Sequence, residues 1–479
     1  MKNKNYTWTF NQVIEKFEEI EIELALDKSL IQNVPWWDLV RQPLFLKLLT
    51  ELNLREQKKP SPYTLFKNTF FNASRLVKNI LLIFSYKSSL WIKRRDYLVW
   101  GHPRRKLENG IYIDPYVDPF IALFPSPDDF TIIERDINGE HLSPVKTKNL
   151  HYADQLLSLA YIFSKFRILK MTKEQSLIIS KLEKTILKSF SCKIDINKLV
   201  KNKIRRWLGI YPVMRLFFKI KKPKLFFVVV NEDHESIIAA AKSIGIVTLE
   251  LQHGSPAKGK MNYDYSSGIK NSTFVDRFLS FGDYWTQNFS LPIDNSKIIP
   301  FGFPYLHEKI SLYPNITKED RLVVISQIDN LKNLVNFTKK ISQKFSRKII
   351  VEYKPHPSEF YLQKPDYFKD LENSGVIISR KDEDLYEIFA RSRWQVGVYS
   401  TALYEGLYFD VACFILKVPG YQHMKKLIDF KLACVVETVD DIDLNWIVDK
   451  KKISKIFSKP EKKNVEKIIN LGRKKMIYN

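Results

Sequence analysis

The sequence contains few cysteines, and they lie far apart. Cys192, Cys413 and Cys434 are the three cysteines in 479 residues. Three scattered thiols form neither a disulfide framework nor the C-x-x-C pairs of a zinc site, which excludes a disulfide-rich secreted module and a zinc module. We therefore expect the protein to reside in a reducing compartment, the cytoplasm.

No segment has the pattern of a secretory signal or of a membrane-spanning helix. Residues 1–30 carry Glu and Asp throughout and lack the apolar core of about 7–15 residues that a signal peptide needs. The most apolar stretch, 80–84 with Trp91 and Ile92, is interrupted by serines and a lysine and falls short of the ~20 apolar residues that span a bilayer. We expect a protein that is soluble or sits peripherally on the inner face of a membrane.

Two common phosphate-binding signatures are also absent. Neither G-x-x-x-x-G-K-[ST] nor G-x-G-x-x-G occurs, which argues against a P-loop kinase and the usual dinucleotide site. The D-x-D spacing of metal-dependent transferases occurs at 382–384 and 441–443. Both pairs precede helical patterns and are interpreted as acidic helix starts. We therefore predict no bound metal and no obligatory cofactor.

Apolar residues and positive charge are plentiful. An apolar content of 45% provides for packed cores, and the length predicts two or three domains. Lys+Arg 77 against Asp+Glu 53 gives a net charge of +24, which predicts contact with phosphates, anionic lipids or acidic glycans. The basic residues are spread along the chain and no DNA- or RNA-binding motif occurs, so we expect no nucleic-acid partner.

The pattern of apolar runs predicts an α/β protein. Residues 1–95 show helical spacing, and from residue 96 short apolar runs alternate with helical patterns, which is typical of parallel sheets. The predicted strands are 97–100, 225–230, 246–251, 278–281, 298–301, 322–325, 349–353, 376–378, 395–399 and 412–416. The proline-containing stretch 292–320 is the predicted linker. We predict a helical N-terminal extension (1–95) and two Rossmann-like domains (96–305 and 306–479) that face a cleft.

Three predicted strand ends carry the candidate site, because open α/β sheets bind ligands beyond the carboxyl ends of their strands. A histidine follows the strand 246–251, a Lys-Pro-His-Pro segment follows 349–353, and a Ser-Thr pair starts the helix after 395–399. The candidate residues are His253, Lys354, His356, Pro357, Ser400, Thr401 and Glu405, with Gln252, Gly254 and Ser326 as further cleft residues.

Each of these candidates also has a purely structural interpretation. His253 is either a general base, since an imidazole titrates near working pH, or a residue that caps a turn. Ser400 and Thr401 either bind a phosphate or only cap the helix, and Glu405, one turn deeper, is placed for a sugar hydroxyl. Two prolines fix His356 at its strand end, and with Lys354 it suits an anionic diphosphate.

Together these segments resemble the GT-B glycosyltransferases, in particular bacterial enzymes that build capsule, O-antigen and lipooligosaccharide. The resemblance covers roughly residues 225–430, with a further match at Trp-Gly-His-Pro-Arg-Arg (100–105). Its blocks are Glu-Leu-Gln-His-Gly (250–254), Phe-Gly-Asp-Tyr-Trp (281–285), Gly-Phe-Pro (302–304), Lys-Pro-His-Pro (354–357) and Val-Tyr-Ser-Thr-Ala-Leu-Tyr-Glu-Gly (398–406). The resemblance implies a nucleotide-activated donor and a glycan or lipid-linked glycan acceptor.

Two donor classes follow from the resemblance. Bacterial sialyltransferases hold CMP with a His-Pro and a Ser-Thr motif, which His356-Pro357 and Ser400-Thr401 match, whereas their acidic Asp/Glu-Asp/Glu-Gly motif does not occur here. Transferases that use CDP-glycerol pair a His-Gly with a Lys-x-His-Pro element, which His253 and His356 match. The expected reaction is an inverting, metal-independent transfer of a sugar from a CMP-linked donor; the alternatives are polyol-phosphate transfer and nucleotide or glycan binding without catalysis.

Two basic segments are candidates for contact with an anionic membrane surface. They are the aromatic-rich stretch 67–95 and the C-terminal stretch 450–475, where Val465, Ile468, Ile469 and Leu471 lie among lysines. The alternative for the second stretch is a helix packed against the first domain.

Overall fold

The computed structural model describes residues 8–55, 85, 87–102, 105–137, 140–287, 289–314, 316–345, 347–361, 366–453 and 455–473. The predictions made for 1–7, 56–84, 86 and 474–479 therefore lie outside the described residues.

The first domain is built on a parallel sheet. Among the described residues it has seven strands in the order β5-β4-β1-β6-β7-β8-β9, and a two-stranded antiparallel hairpin, β2-β3, stands apart. Their bounds are β1 Tyr97–Trp100, β2 Lys106–Glu108, β3 Ile111–Ile113, β4 Phe130–Glu134, β5 Leu150–Tyr152, β6 Leu225–Val229, β7 Val247–Leu251, β8 Arg277–Ser280 and β9 Ile298–Pro300. Strands β1, β4 and β6 are buried along their whole length, as expected where helices cover both faces.

The second domain repeats this architecture. Within the described part of the chain its sheet has six parallel strands in the order β12-β11-β10-β13-β14-β15. The bounds are β10 Arg321–Ile325, β11 Ile350–Lys354, β12 Ile377–Ile378, β13 Trp394–Gly397, β14 Ala412–Leu416 and β15 Cys434–Val436. The prediction of an α/β fold with two Rossmann-like domains is confirmed. All ten predicted strands are present to within about two residues at either end.

Sequence reasoning missed five short strands, β2 to β5 and β15. Four of them have three residues and therefore carry no periodic signal. The predicted linker 292–320 is largely ordered, because it contains the edge strand β9 and a helix.

The helices cover the sheets and the N-terminal side of the molecule. Their bounds are α1 Phe10–Glu23, α2 Trp36–Glu51, α3 Asp118–Ala122, α4 Asp154–Phe166, α5 Lys173–Phe190, α6 Ile196–Lys221, α7 Glu235–Lys242, α8 Pro304–Leu312, α9 Leu331–Phe345, α10 Asp366–Asn373, α11 Leu385–Arg391, α12 Thr401–Leu407, α13 Lys425–Asp429, α14 Lys450–Ile453 and α15 Lys462–Arg473. In the part of the chain that is described, no helix has the length and apolarity needed to cross a bilayer.

The N-terminal helices support the loop that follows β7. The guanidinium of Arg41 in α2 is buried, pairs with Glu21 of α1, and donates to the carbonyl oxygens of Met261 and Asp264 (2.6 Å to Asp264). A buried charge is stable only when it is paired and hydrogen-bonded, and here both conditions hold. The helical extension, to which the sequence assigned no chemistry, therefore fixes the chain just beyond the candidate loop 252–256.

The C-terminal helix packs on the first domain and not on the second. Val465 and Ile468 of α15 are buried in the cluster formed by β1 and β6, and Asn464 donates to the carbonyl oxygen of Pro300. The assignment of all of 306–479 to the second domain is therefore wrong for this helix. Val465 and Ile468, which were candidates for contact with a membrane, are buried, and the alternative of a helix packed against the first domain describes α15.

The segment that leads to α15 passes close to Gly302 on its way to the first domain. This residue has a φ of +94°, and a Cβ placed on it would lie 2.1 Å from the carbonyl oxygen of Ser458. Gly268 has a similar φ of +80°, but a Cβ there would meet no atom within 4 Å. The two positions thus share backbone strain and differ in crowding.

We predict that Gly302→Ala destabilises the protein more than Gly268→Ala. The control should lose about 1–2 kcal/mol from the unfavourable φ alone, and Gly302→Ala should lose about 3 kcal/mol more because the C-terminal segment must shift. Urea unfolding of the two variants and the wild type measures the difference. Equal losses would show that a Cβ at position 302 does not displace the segment 456–460.

Candidate functional site

The candidate loops of the two domains meet across the cleft. The loop after β7 carries His253 and Gly254, and the junction of β13 with α12 carries Ser400 and Thr401. A Cβ placed on Gly254 would lie 3.9 Å from Thr401 Oγ1. Two of the three strand ends that were chosen from the sequence are therefore in direct proximity.

Gln252 holds the His253 loop in place. Its side chain is buried, accepts a hydrogen bond from the Phe281 backbone N–H (2.6 Å) and donates to the carbonyl oxygen of Gly254 (2.8 Å). The amide is therefore used to fix the turn. Of the predicted cleft residues, Gln252 is a positioning residue and Gly254 lines the cleft.

The ring of His253 lies against two side chains that were not among the candidate residues. It is stacked on His102, with ring centroids 4.5 Å apart, and lies 5.0 Å from the ring of Tyr116. His102 follows β1 as His253 follows β7, so the strand-end rule applied to Trp-Gly-His (100–102) would have found it. The cleft floor of the first domain thus brings two histidines and a tyrosine together.

A buried carboxyl group orders the Tyr116 segment. Asp114 Oδ1 accepts hydrogen bonds from the backbone N–H groups of Tyr116 (2.9 Å) and Val117 (3.0 Å). Burial raises the pKa of Asp114 to about 7, because no solvent reaches the carboxylate.

In the second domain, Glu359 organises the loop that carries His356. This fully buried carboxylate accepts hydrogen bonds from the His356 backbone N–H, from the hydroxyls of Ser326 and Tyr353, and from Tyr367 Oη at 2.7 Å. Sequence reasoning missed Glu359, and it proposed Ser326 as a cleft residue, whereas the Ser326 hydroxyl points to this carboxylate.

The His356 ring itself is oriented by its own loop. Its Nδ1 accepts a hydrogen bond from the Ser358 backbone N–H (3.2 Å), which leaves the proton of the neutral ring on Nε2. Pro357 is exposed and begins a 3₁₀ turn, Pro357–Tyr361. The contacts that orient His356 come from Ser358 and Glu359, whereas the rigidity that we expected from the two prolines stays a prediction.

Two of the predicted donor-binding side chains are engaged within the protein. Lys354 Nζ donates to the carbonyl oxygens of Glu383 (2.6 Å) and Arg380 (3.2 Å) and so anchors the neighbouring loop, while burial lowers its pKa. Glu405 Oε2 accepts a hydrogen bond from Tyr386 Oη (2.6 Å). Both side chains therefore have a structural role within their own domain, and their contact with a donor stays a prediction.

Ser400 has the capping role that was one of its two interpretations. Its hydroxyl accepts a hydrogen bond from the Ala402 backbone N–H (3.3 Å) at the start of α12. A capping hydroxyl still carries one hydrogen that it can donate. Thr401 is half-buried beside Gly254.

The hairpin β2-β3 ties the first domain to the second beside this site. Glu108 accepts a hydrogen bond from Tyr305 Oη and pairs with Lys309 at 2.8 Å, and Lys309 also pairs with Asp384 at 3.2 Å. Lys106 Nζ lies 4.4 Å from the ring centroid of Tyr386. These charges bridge the two domains and restrict their relative movement.

A cavity of about 210 Å³ opens between the domains next to the His253 loop. The residues that line it include Phe10, Ser255, Lys258, Tyr284, Trp285, Tyr404, His423 and Lys426. Such a volume is below the roughly 300–1,000 Å³ of most ligand pockets, so it suits one part of a substrate. Sequence reasoning missed it, although Gly-Tyr-Gln-His-Met-Lys-Lys (420–426) follows the carboxyl end of β14.

Lys426 is the polar group that distinguishes this cavity. Its Nζ is buried, has no hydrogen-bond partner among the described residues, and lies 3.9 Å from the ring centroid of Tyr284. Burial lowers the pKa of Lys426 to about 8. An unpaired ammonium in a partly apolar cavity favours an anionic group as its ligand.

One aspartate of each D-x-D pair makes a local hydrogen bond at a helix start. Asp384 caps α11 by accepting from the Tyr386 N–H (3.1 Å), and Asp441 accepts from the Thr438 N–H (2.8 Å). Over the residues described, no group of three or more His, Cys, Asp or Glu side chains is placed to bind a metal ion.

The chain matches no protein-family model and no curated protein. Solved structures do resemble it. The UDP-GlcNAc 2-epimerase of Methanocaldococcus jannaschii, in complex with UDP-GlcNAc and UDP, is 12% identical with a TM-score of 0.46, over 80% of this chain and 99% of that chain. The UDP-GlcNAc 2-epimerase of Neisseria meningitidis bound to UDP-GlcNAc is 12% identical with a TM-score of 0.42, over 79% and 99%.

A third structure is the wall teichoic acid polymerase TagF, which is 11% identical with a TM-score of 0.42, over 86% of this chain and 98% of that chain. At identities of 11–12%, these similarities concern the overall fold and assign no reaction to this chain.

Proposed function

We propose that the protein is an inverting, metal-independent glycosyltransferase. It moves a sugar, of the sialic acid type or a related acidic sugar, from a CMP-linked donor to a growing surface glycan. The observation that carries the proposal is that Gly254, the residue after His253, meets Thr401 across the cleft. This places a histidine of one domain beside a helix start of the other.

In the proposed mechanism, His253 is the general base. The acceptor hydroxyl gives its proton to His253 while its oxygen attacks the anomeric carbon from the face opposite the nucleotide. The bond between that carbon and the phosphate oxygen breaks, and the nucleotide leaves with the bonding electron pair. The stacking of His102 on His253 fixes the ring plane for this step.

The second domain binds the nucleotide. His356 Nε2–H and the hydroxyls of Ser400 and Thr401 are hydrogen-bond donors that stabilise the negative charge on the departing phosphate, an effect worth about 3–4 kcal/mol for one well-placed donor. Lys354 and Glu405 contribute indirectly, by fixing the loop 380–383 and Tyr386.

The alternative is transfer of a polyol phosphate from CDP-glycerol. The pairing of His253-Gly254 with Lys354-x-His356-Pro357 favours it, as does the absence of the acidic motif of sialyltransferases. Both reactions release CMP, so nucleotide release alone does not separate them. A donor labelled on the phosphate next to glycerol does, because only polyol-phosphate transfer leaves that label in the product.

A turnover assay with CMP-, CDP-, UDP- and GDP-linked donors tests the proposal. Transfer from a CMP-linked sugar supports it, and transfer of labelled phosphate from CDP-glycerol establishes the alternative. Tight nucleotide binding without turnover on any donor would identify a binding protein and overturn both.

We predict that His253→Ala and His356→Ala have different kinetic effects. His253→Ala should lower kcat by about 100-fold or more and leave donor affinity unchanged, because a general base acts in the transition state. His356→Ala should weaken donor binding as well. His102→Phe, which retains a stacked ring, should keep more activity than His102→Ala. Steady-state kinetics and nucleotide titration measure these effects, with His151→Gln, whose Nδ1 lies near the Ser88 carbonyl oxygen, as the control. Equal losses of nucleotide affinity in the first two variants would contradict the assigned roles.

We also predict that Glu359→Gln raises the donor KM about tenfold or more. A glutamine has only one acceptor oxygen, so its NH₂ group would face some of the N–H and O–H groups that now donate to Glu359. Leaving such buried donors without an acceptor costs about 1–3 kcal/mol. Ser326→Ala, which removes one of those donors, should have a smaller effect. Glu372→Gln on exposed α10 is the matched control. An unchanged donor KM in Glu359→Gln would show that this carboxylate does not position His356.

The cavity beside His253 is assigned to an anionic part of the acceptor, which Lys426 would pair with. Because the pKa of Lys426 is lowered to about 8, the ammonium form is lost as the pH rises through 8. The acceptor KM should therefore rise above about pH 8 in the wild type. Lys426→Arg should keep the low KM at high pH, since a guanidinium stays protonated.

The control for this prediction is Lys339→Met on the surface of α9, where the lysine pairs with Asp370. Lys426→Met should raise the acceptor KM at every pH, and the control should not. An acceptor KM that does not depend on pH in the wild type, or that is unchanged in Lys426→Met, would show that the acceptor does not bind in this cavity.

A further inference from the structure

Helix α4 (Asp154–Phe166) is apolar on two faces, and only one of them is covered. Leu156 and Ala160 are buried in a core cluster with α6, and Gly209 of α6 packs against Ala160 so closely that a Cβ there would lie 2.3 Å from the Ala160 carbonyl oxygen. Leu157 packs against the same cluster and is partly buried, whereas a further set of apolar side chains on α4 is exposed. The residues of this exposed stripe are Leu159 (41% exposed), Ile162 (39%), Phe163 (41%) and Phe166 (82%).

The residues of the stripe have the spacing of an amphipathic helix that lies with one side on an apolar surface. Residues 159, 162, 163 and 166 are i, i+3, i+4 and i+7, so they project from one side of the helix. Single exposed apolar residues are ordinary on protein surfaces, whereas a contiguous set marks an interaction site.

Neighbouring elements extend the apolar surface. Leu216 and Ile220 of α6 are each 58% exposed and follow Gly209 by 7 and 11 residues, so they lie on the helix face that turns towards α4. Trp91 is 59% exposed, and its turn is held to α6 because Lys221 Nζ donates to the carbonyl oxygen of Ile92 (2.6 Å).

The three chain segments that form this surface carry charges of one sign. The segments 87–95, 155–173 and 209–222, which carry these apolar residues, contain no Asp and no Glu. Their exposed cations are Lys93, Arg94, Lys165, Arg167, Lys170, Lys173, Lys219 and Lys222. Exposed aromatic and aliphatic side chains ringed by Lys and Arg are the composition of surfaces that bind anionic lipid.

We propose that this surface of α4, α6 and the Trp91 turn docks the protein on an anionic membrane. The apolar stripe enters the boundary between headgroups and acyl chains, and the surrounding cations pair with lipid phosphates. This is a different surface from the C-terminal stretch 450–475, where Val465 and Ile468 of α15 are covered by the first sheet.

Sedimentation with lipid vesicles tests the proposal and needs no substrate, so its outcome is independent of the proposed reaction. The wild type should sediment with vesicles that contain phosphatidylglycerol and not with pure phosphatidylcholine. Binding should weaken as salt shortens the Debye length from about 10 Å at 0.1 M to about 3 Å at 1 M.

Two variants probe the two parts of the surface. Lys165→Glu/Arg167→Glu should lower the partition coefficient at least about 25-fold, or about fivefold for each lost cation. Ile162→Ser/Phe166→Ser should lower it about tenfold or more through lost apolar burial. These side chains are exposed, so the melting temperature should not change.

Matched controls carry the same substitutions elsewhere. Leu312→Ser/Ile447→Ser replaces two exposed apolar residues outside the surface, and Lys462→Glu/Lys467→Glu reverses two exposed charges on α15. Both should bind vesicles as the wild type does.

Three results would overturn the proposal. The first is equal sedimentation with neutral and anionic vesicles, and the second is loss of binding in the α15 control only. The third is a dimer, seen by sedimentation velocity without lipid, that dissociates in Ile162→Ser/Phe166→Ser while vesicle binding is absent. That result would assign the surface to a second copy of the chain.

Discussion

The segment 456–458 is bound to both domains, and the geometry of the cleft depends on it. Trp285 Nε1 donates to the Ile456 carbonyl oxygen at 2.8 Å, and the Ser458 N–H donates to the carbonyl oxygen of Phe281 at 2.7 Å. From the other domain, Tyr408 Oη donates to the carbonyl oxygen of Phe457 at 3.0 Å. The Phe457 ring packs against rings of both domains. Removing these contacts would leave the ion pairs at the β2-β3 hairpin as a link between the domains and would weaken the hold on the loops at Gly254 and Thr401.

The loops of the candidate histidines are held in place by buried polar groups. Gln252 fixes the turn of His253, Asp114 fixes the chain at Tyr116, and Glu359 fixes the loop of His356. Each of these side chains is buried and hydrogen-bonded, so a change of loop conformation would leave a polar group unpaired in the interior. A cleft supported in this way is preorganised for binding, since little conformational freedom remains to be lost.

The positively charged side chains lie in different places and have different structural roles. Some cations are structural, such as Arg41 beneath the His253 loop and Lys309 between the domains. Lys426 faces a cavity next to the cleft. Many of the others surround the apolar stripe of α4. A net charge of +24 is therefore compatible with several anionic partners, and its value alone does not choose among them.

The sequence by itself determined the class of fold and the strand ends where the candidate residues lie, because alternating apolar runs and the residues that follow them are local features. Only the tertiary structure decided which side chains meet. His102 and His253 are 151 positions apart, Lys354 and Glu405 contact their own domain, and α15 returns to the first sheet. Hydrophobic periodicity predicts which face of a helix or strand is buried, but it does not predict which other element covers that face. For the same reason the stripe of α4 has the apolar spacing of a core helix in the sequence, and only the tertiary structure shows that it is exposed.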